Sequence, residues 1–196
     1  MTMADIRAVV TQAVEAAGSV VGIRWGTEEP PHSVIDRVNE VEIRQYQQRI
    51  AAQTSVAADE VSARSTGFRR LAGYIFGGNR GDAKIAMTAP VAQTSDAARK
   101  STISFFMPVK WTMETLPRPN DDNVTLVEVP AETVAVLRFT GDRSPGAVEH
   151  RVGQLRQALS SSNYRPTGQA RAWFYDPPFT LPFRRRNEVV IPVEAA

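Results

Sequence analysis

Two stretches of this sequence follow one plan. Lys84-Ile85-Ala86-Met87-Thr88-Ala89-Pro90-Val91 comes after a helix-like segment and opens a pair of strand-like runs. Tyr175-Asp176-Pro177-Pro178, leading into Arg184 to Val193, does the same late in the chain. With what precedes them, they describe a strand–helix–hairpin unit written twice, roughly 85 residues apart. Two β-α-β-β halves that each expose one apolar sheet face are stable only once curled together. The repeat therefore predicts an α+β fold: a distorted β-barrel of two β-α-β-β repeats, with a helix flanking each half. Such a barrel leaves a groove where helix, sheet and connecting loop diverge.

The pattern along the chain supplies the elements. Ile6, Val9, Val10, Ala13, Val14 and Ala17 recur at helical spacing, so residues 1–27 read as an N-terminal amphipathic helix and connector. This helix either packs on the barrel or recruits a protein partner. The barrel occupies residues 28–196, in halves 28–116 and 117–196. In the first half, Val34 to Val38 and Val41 to Val56 alternate like strands. Ser62 or Ser65 caps a helix carrying Phe68, Leu71, Ala72, Ile75 and Phe76, which Gly77-Gly78 ends. Lys84 to Gln93 and Thr102 to Val109 form a hairpin. In the second half, Val124 to Val129 and Thr133 to Phe139 are strands. Ser144 caps a helix with Pro145 at its first position and a Val148, Val152, Leu155, Leu159 stripe. Ala170 to Tyr175 and Asn187 to Val193 close the plan.

Composition removes several functions. With 196 residues and 42% hydrophobic content the chain can build a core, and a net charge of +2 argues against nucleic acid as a partner. There is no cysteine, hence no disulfide, thiolate metal site or thiol nucleophile. Asp5, Arg7, Gln12 and Glu15 interrupt the N-terminal stretch, which predicts neither a secretory leader nor a membrane span and suits a cytoplasmic protein.

Catalytic sets are absent from the sequence pattern. His150 lies about 200° around its helix from the apolar stripe and His32 follows Pro30-Pro31, too scattered for a metal-site argument. No Gly-x-Ser-x-Gly elbow occurs. The adjacent carboxylates Glu28-Glu29 and Asp121-Asp122 sit in turns and read as solvated. Gly77-Gly78-Asn79-Arg80-Gly81 follows a helix, not a strand, and reads as a C-cap turn. Met87 and Met107 read as core residues. Arg184-Arg185-Arg186 is the one cationic run able to meet an anion with planar donors. These readings predict a binding protein, not an enzyme.

Four motifs then become familiar: Phe68-x-x-Leu71-x-x-Tyr74-Ile75-Phe76-Gly77-x-Asn79 running into Ile85 to Val91; Phe106-Met107-Pro108; Leu116-Pro117-Arg118-Pro119; and Tyr175-Asp176-Pro177-Pro178-x-x-x-Pro182-x-x-Arg185-Arg186-Asn187-Glu188-Val189. Together they resemble the SOUL haem-binding protein family, over Glu28 to Val193. The resemblance implies the same two-half barrel and kinship with gyrase-inhibitor-like effector-binding domains. It also implies haem or a porphyrin as a bound ligand, in a shallow apolar groove between the first helix and the loop before the last strand. Carried onto this sequence, Ser65, Phe68, Ala72 and Gly73 face that groove, with Phe179 and Thr180 from the loop and Arg184 nearby. Phe68, Ala72, Ile75 and Phe179 would cover the ring. Animal members place basic residues where Ser65, Gly73 and Thr180 stand here, and Arg69 and Arg184 are the nearest substitutes. The reading is a reversible haem carrier, buffer or sensor. The alternative is an effector-type module for another amphiphilic small molecule or a protein partner. A haem-degrading or iron-releasing enzyme is the third reading.

Overall fold

The computed structural model describes residues 27–96, 98 and 100–196. The expected N-terminal helix lies outside the described residues. Ten strands and two α-helices follow in chain order: β1 (His32–Val38), β2 (Val41–Tyr46), β3 (Arg49–Ala57), α1 (Glu60–Ile75), β4 (Val91–Ser95), β5 (Lys100–Phe106), β6 (Thr125–Val129), β7 (Glu132–Phe139), α2 (Pro145–Ser160), β8 (Tyr164–Pro166), β9 (Arg171–Phe174) and β10 (Asn187–Ala195).

The strand order is β1-β2-β7-β10-β9-β4-β5-β3-β6, with short β8 paired to the end of β10. From β2 to β6 this order reads equivalently from either end: β2 answers β6, β7 answers β3, β10 answers β5 and β9 answers β4. The halves also exchange a strand. β2 pairs with β7 and β6 pairs with β3, so each half lends one strand to a partner in the other. The result is the expected α+β fold with a helix on each half. The sheet is an open, curled half-barrel edged by β1 and β6, not a closed ring.

Alternation along the strands sorts side chains into three layers. Val189 and Ile191 of β10 join Ala135 and Leu137 of β7 beneath α2, where Leu155 and Leu159 close the cluster. Phe105 and Ile103 of β5 and Ala52 of β3 pack beneath α1 against Leu71, Tyr74 and Ile75. The residues between them turn inward: Ala51, Phe106, Val134, Val136, Trp173 and Val190 fill the curl.

Several local expectations change. Asp59, not Ser62 or Ser65, caps α1: its Oδ1 accepts from the amides of Val61 and Ser62 at 3.1 and 3.0 Å, which starts the helix a turn earlier. Ser144 caps α2 as anticipated, with Pro145 in its first turn. Lys84 to Pro90 is irregular, not strand, because its backbone groups bond outside any ladder. Ile85 N–H donates to Ile75 O at 2.8 Å and Ala89 N–H to Glu28 O at 2.9 Å. Glu28 and Glu29 are engaged, not merely solvated: Glu28 Oε1 accepts from Val109 N and Glu29 accepts from Arg186 Nη1.

A buried ion network ties the inner face together. The fully buried Glu188 receives Arg44 in a two-pronged contact at 3.0 and 3.1 Å, Arg186 Nε at 3.0 Å and Tyr175 Oη at 2.7 Å. Burial pushes the Glu188 carboxyl up. The hydrogen bonds and charge of Arg44, then Arg186, outweigh that and hold it below its ordinary 4.5.

Two outcomes follow from this packing. A Cβ added at Gly67 would lie 2.4 Å from Ile103 Cγ1, so Gly67→Ala should lose about 1–3 kcal/mol in urea unfolding despite its better helix propensity. Because Glu188 titrates lower when folded than unfolded, its contribution is present above pH 4.5 and is lost as pH falls below that value. Acid titration of stability should therefore be steeper in the native chain than in Glu188→Gln, which itself should cost about 3–5 kcal/mol near neutrality.

Candidate functional site

α1 buries one face and leaves a flank open. Ala63, Gly67, Leu71, Tyr74 and Ile75 pack inward. Val61, Ser65, Phe68 and Ala72, spaced i, i+4, i+7 and i+11, share the open flank. Val61 is 52% exposed and Phe68 41%, an unusual display for large apolar side chains on one helix edge. Phe68 is fixed from beneath by Phe105, whose ring meets it edge-on at 5.3 Å.

The loop from Asp176 to Arg186 displays a second apolar group: Phe179, Leu181 and Phe183 are all exposed. The loop is braced from inside. Arg185 donates to the carbonyls of Thr180 and Pro178 at 2.8 Å each, Arg186 N–H to Asp176 Oδ2 at 2.6 Å, and Gly141 N–H to Pro182 O at 2.9 Å. A 3₁₀ turn at Pro182–Arg184 completes it.

Arginines join the two surfaces. Arg64 donates to Arg143 O at 3.4–3.5 Å, and Arg143 Nη1 donates to Asp176 O at 3.2 Å. Both guanidinium groups lie against Phe174, 4.2 and 5.8 Å from its ring centre. Burial, then the charge of Arg143, lowers Arg64 to about 10. Burial, then Arg185, lowers Arg143. Glu60 lends Arg64, and Asp176 lends Arg143, only a through-space attraction. The junction thus carries a surplus of half-buried positive charge that an arriving anion would offset.

Of the expected site residues, the structure brings Ser65, Phe68 and Ala72 onto one flank. Arg69 and Gly73 lie about 100° and 140° from Phe68 around the helix, on its outward face. Phe179 and Arg184 are exposed on the loop. Ile75 and Thr180 present no side chain to the surface. Ile75 stands seven residues past Phe68 on the same stripe, but the chain folds back over it and leaves it 1% exposed. Thr180 is fully buried under the turn from Pro177, whose carbonyl accepts its amide. Of the run Arg184-Arg185-Arg186, only Arg184 remains at the surface; Arg185 braces the loop and Arg186 turns inward to Glu29 and Glu188. Sequence reasoning passed over Val61, one heptad before Phe68, whose spacing could have shown it. Nothing in the sequence joins Arg64 to Arg143.

His32 stacks near Tyr46 on β1, ring centres 4.9 Å apart, and His150 is exposed on α2. Neither belongs to the flank of α1. Among the described residues no group of three or more acidic or histidine side chains is placed to hold a metal ion, and no helix is long and apolar enough to cross a membrane.

Comparison with known proteins bears on what such a surface holds. The family model for SOUL heme-binding protein matches residues 27–192. Mouse heme-binding protein 2 is 30% identical over 171 residues, covering 81% of this chain and 80% of that protein. The human heme-binding protein 2 is 33% identical over 137 residues, 66% of this chain and 62% of its own length. In structure, the C-terminal domain of EcmrR superposes with a TM-score of 0.63 at 13% identity, covering 80% of this chain and 98% of that domain, a likeness of fold alone.

The unbalanced charge at Arg64 gives a stability test. Arg64→Met should be neutral or should stabilise by up to about 1 kcal/mol in urea unfolding, since a half-buried cation gives way to an apolar side chain. A loss above about 2 kcal/mol would make Arg64 a structural strut instead.

Proposed function

The chain belongs to the SOUL heme-binding protein family, and on that premise we propose that it holds haem or a related tetrapyrrole reversibly, as a carrier, buffer or sensor. The guest lies along the open flank of α1, against Phe68, Val61 and Ala72, with the Phe179 to Phe183 loop beside it. The observation that carries this reading is the exposed Phe68 edge next to the Arg64–Arg143 pair: an oily face ending in two cations that form no ion pair among the described residues suits a flat apolar ring with carboxylates on one side. Each 100 Å² of apolar surface covered contributes about 2.5 kcal/mol. Each charge-assisted hydrogen bond to a propionate contributes about 1.5–3 kcal/mol. Arg64 and Arg143 take the role that the basic residues of animal relatives play at the positions of Ser65, Gly73 and Thr180.

A second reading keeps the shelf and changes the guest. The uncharged Ser65, which shares the open flank with Phe68, favours an effector-type module for another amphiphilic small molecule. Under this reading a non-porphyrin amphiphile raises the melting temperature and hemin does not.

Titration with hemin should give a saturable Soret shift at micromolar concentration, and Phe68→Arg should abolish it. Metal-free protoporphyrin should bind comparably, because the ring is what the shelf recognises. Arg143→Gln should weaken hemin roughly tenfold or more while leaving the dimethyl ester nearly unchanged. Absence of any saturable change would end the tetrapyrrole reading. Hemin kept with reductant under air should persist; its breakdown would restore the enzymatic reading.

A further inference from the structure

The loop between β9 and β10 protrudes where a ligand pocket would recede. Phe179, Leu181 and Phe183 are 58%, 40% and 68% exposed, and Pro178 and Pro182 beside them are exposed as well. Only Thr180 tucks inward. Consecutive apolar residues that face water on a single turn make a convex tip, and an apolar display of this kind marks a surface that meets something other than water.

The loop cannot hide these side chains by folding back. Arg185 ties down the carbonyls of Pro178 and Thr180, Gly141 N–H holds Pro182 O, and Asp176 Oδ2 holds the Arg186 amide. Positive charge gathers under the tip. Arg185 and Arg143 donate to backbone carbonyls and form no ion pair among the described residues. They lie close enough to repel each other. Arg184 adds an exposed cation at the edge of the tip. The carboxylates of the same region are engaged elsewhere: Asp176 is buried on the Arg186 amide, and Asp142 accepts from the amide and hydroxyl of Ser144.

We propose that the loop over residues 178–183 is a docking tip for an anionic lipid surface. Phe179, Leu181 and Phe183 enter the headgroup region, and Arg143 and Arg185 at the base of the loop face the lipid phosphates. A small ligand needs a concave site and a protein partner needs a cavity of matching shape. A lipid surface deforms around a convex apolar tip, and its anionic headgroups complement the cations beneath. The attachment is peripheral and involves no membrane span. It does not rest on tetrapyrrole binding.

Cosedimentation of the haem-free full chain with large vesicles tests this. Vesicles of phosphatidylcholine with phosphatidylglycerol should bind it about fivefold more tightly than phosphatidylcholine alone, and added salt should remove the difference. Phe179→Ser and Phe183→Ser, both surface changes that should keep the thermal midpoint, should each weaken binding about tenfold or more. The chain has no cysteine, so Leu181→Cys accepts a single polarity-sensitive bimane label. Its emission should shift to the blue on anionic vesicles, whereas the same label on Gln154→Cys, exposed on α2, should not respond. No sedimentation with anionic vesicles, binding unchanged in both serine variants, or an unshifted label on Leu181→Cys would overturn the proposal. A dimer found without vesicles and lost in Phe183→Ser would assign the tip to a second copy of the chain instead. Because vesicle binding is read without haem, its failure leaves the tetrapyrrole reading standing, and a failed hemin titration leaves this one.

Discussion

The antiparallel pairing of β4 with β9 is the central junction of the sheet, flanked on either side by the other two pairings between the halves, β2 with β7 and β3 with β6. It sets Val91 against Phe174, Ala92 against Trp173 and Gln93 against Ala172. Val91 also pairs with Phe105 on its other side. One row across three strands therefore carries Phe105, Val91 and Phe174 on the outer face. α1 lies over that row, with Phe68 on Phe105 and Arg64 on Phe174 one turn apart. The next row carries Gln93 and Ala172, the floor of the cleft between the helices. Shelf and cleft are thus consequences of a single register, and a slip of one residue would turn all of these side chains to the opposite face.

The inner face meets a different demand. A sheet that curls without closing must fill its own concavity. Here Trp173, Phe106 and Tyr46 do so around two ionic lattices: Arg44–Glu188–Arg186, and Arg49–Glu132–Arg171. Buried charges are costly unless fully matched, and Glu188 has donors on both oxygens. The lattice joins β2 to β10 and extends through Arg186 to Glu29. It occupies the space that would otherwise be the barrel lumen, and both helices stand on the outside of the sheet.

The duplicated plan, both helices, the Ser144 cap with Pro145, and the apolar strands were legible in the sequence, because each is a local pattern of period two or 3.6. So was the flank bearing Ser65, Phe68 and Ala72. Ile75 obeys the same helical stripe as Phe68 yet is 1% exposed. Helical spacing says which residues share a face and nothing about the segment that later covers that face, here the chain around Ile85. Thr180 was lost to a turn whose inward tuck depends on contacts from Arg185, and Lys84 to Pro90 looked like strand because its apolar run ignores where its amides would find partners.

What the sequence by itself determined is the repeated unit, the strand and helix types and one edge of the shelf, since these rest on contacts between near neighbours in the chain. Only the tertiary structure decided that Arg64 and Arg143 converge on Phe174, that β2 and β6 cross between halves, and that Gln93 reaches the Glu60 carbonyl at the start of α1. Those features join residues far apart in sequence, and their geometry is set by the register of the curled sheet, a property no local pattern encodes.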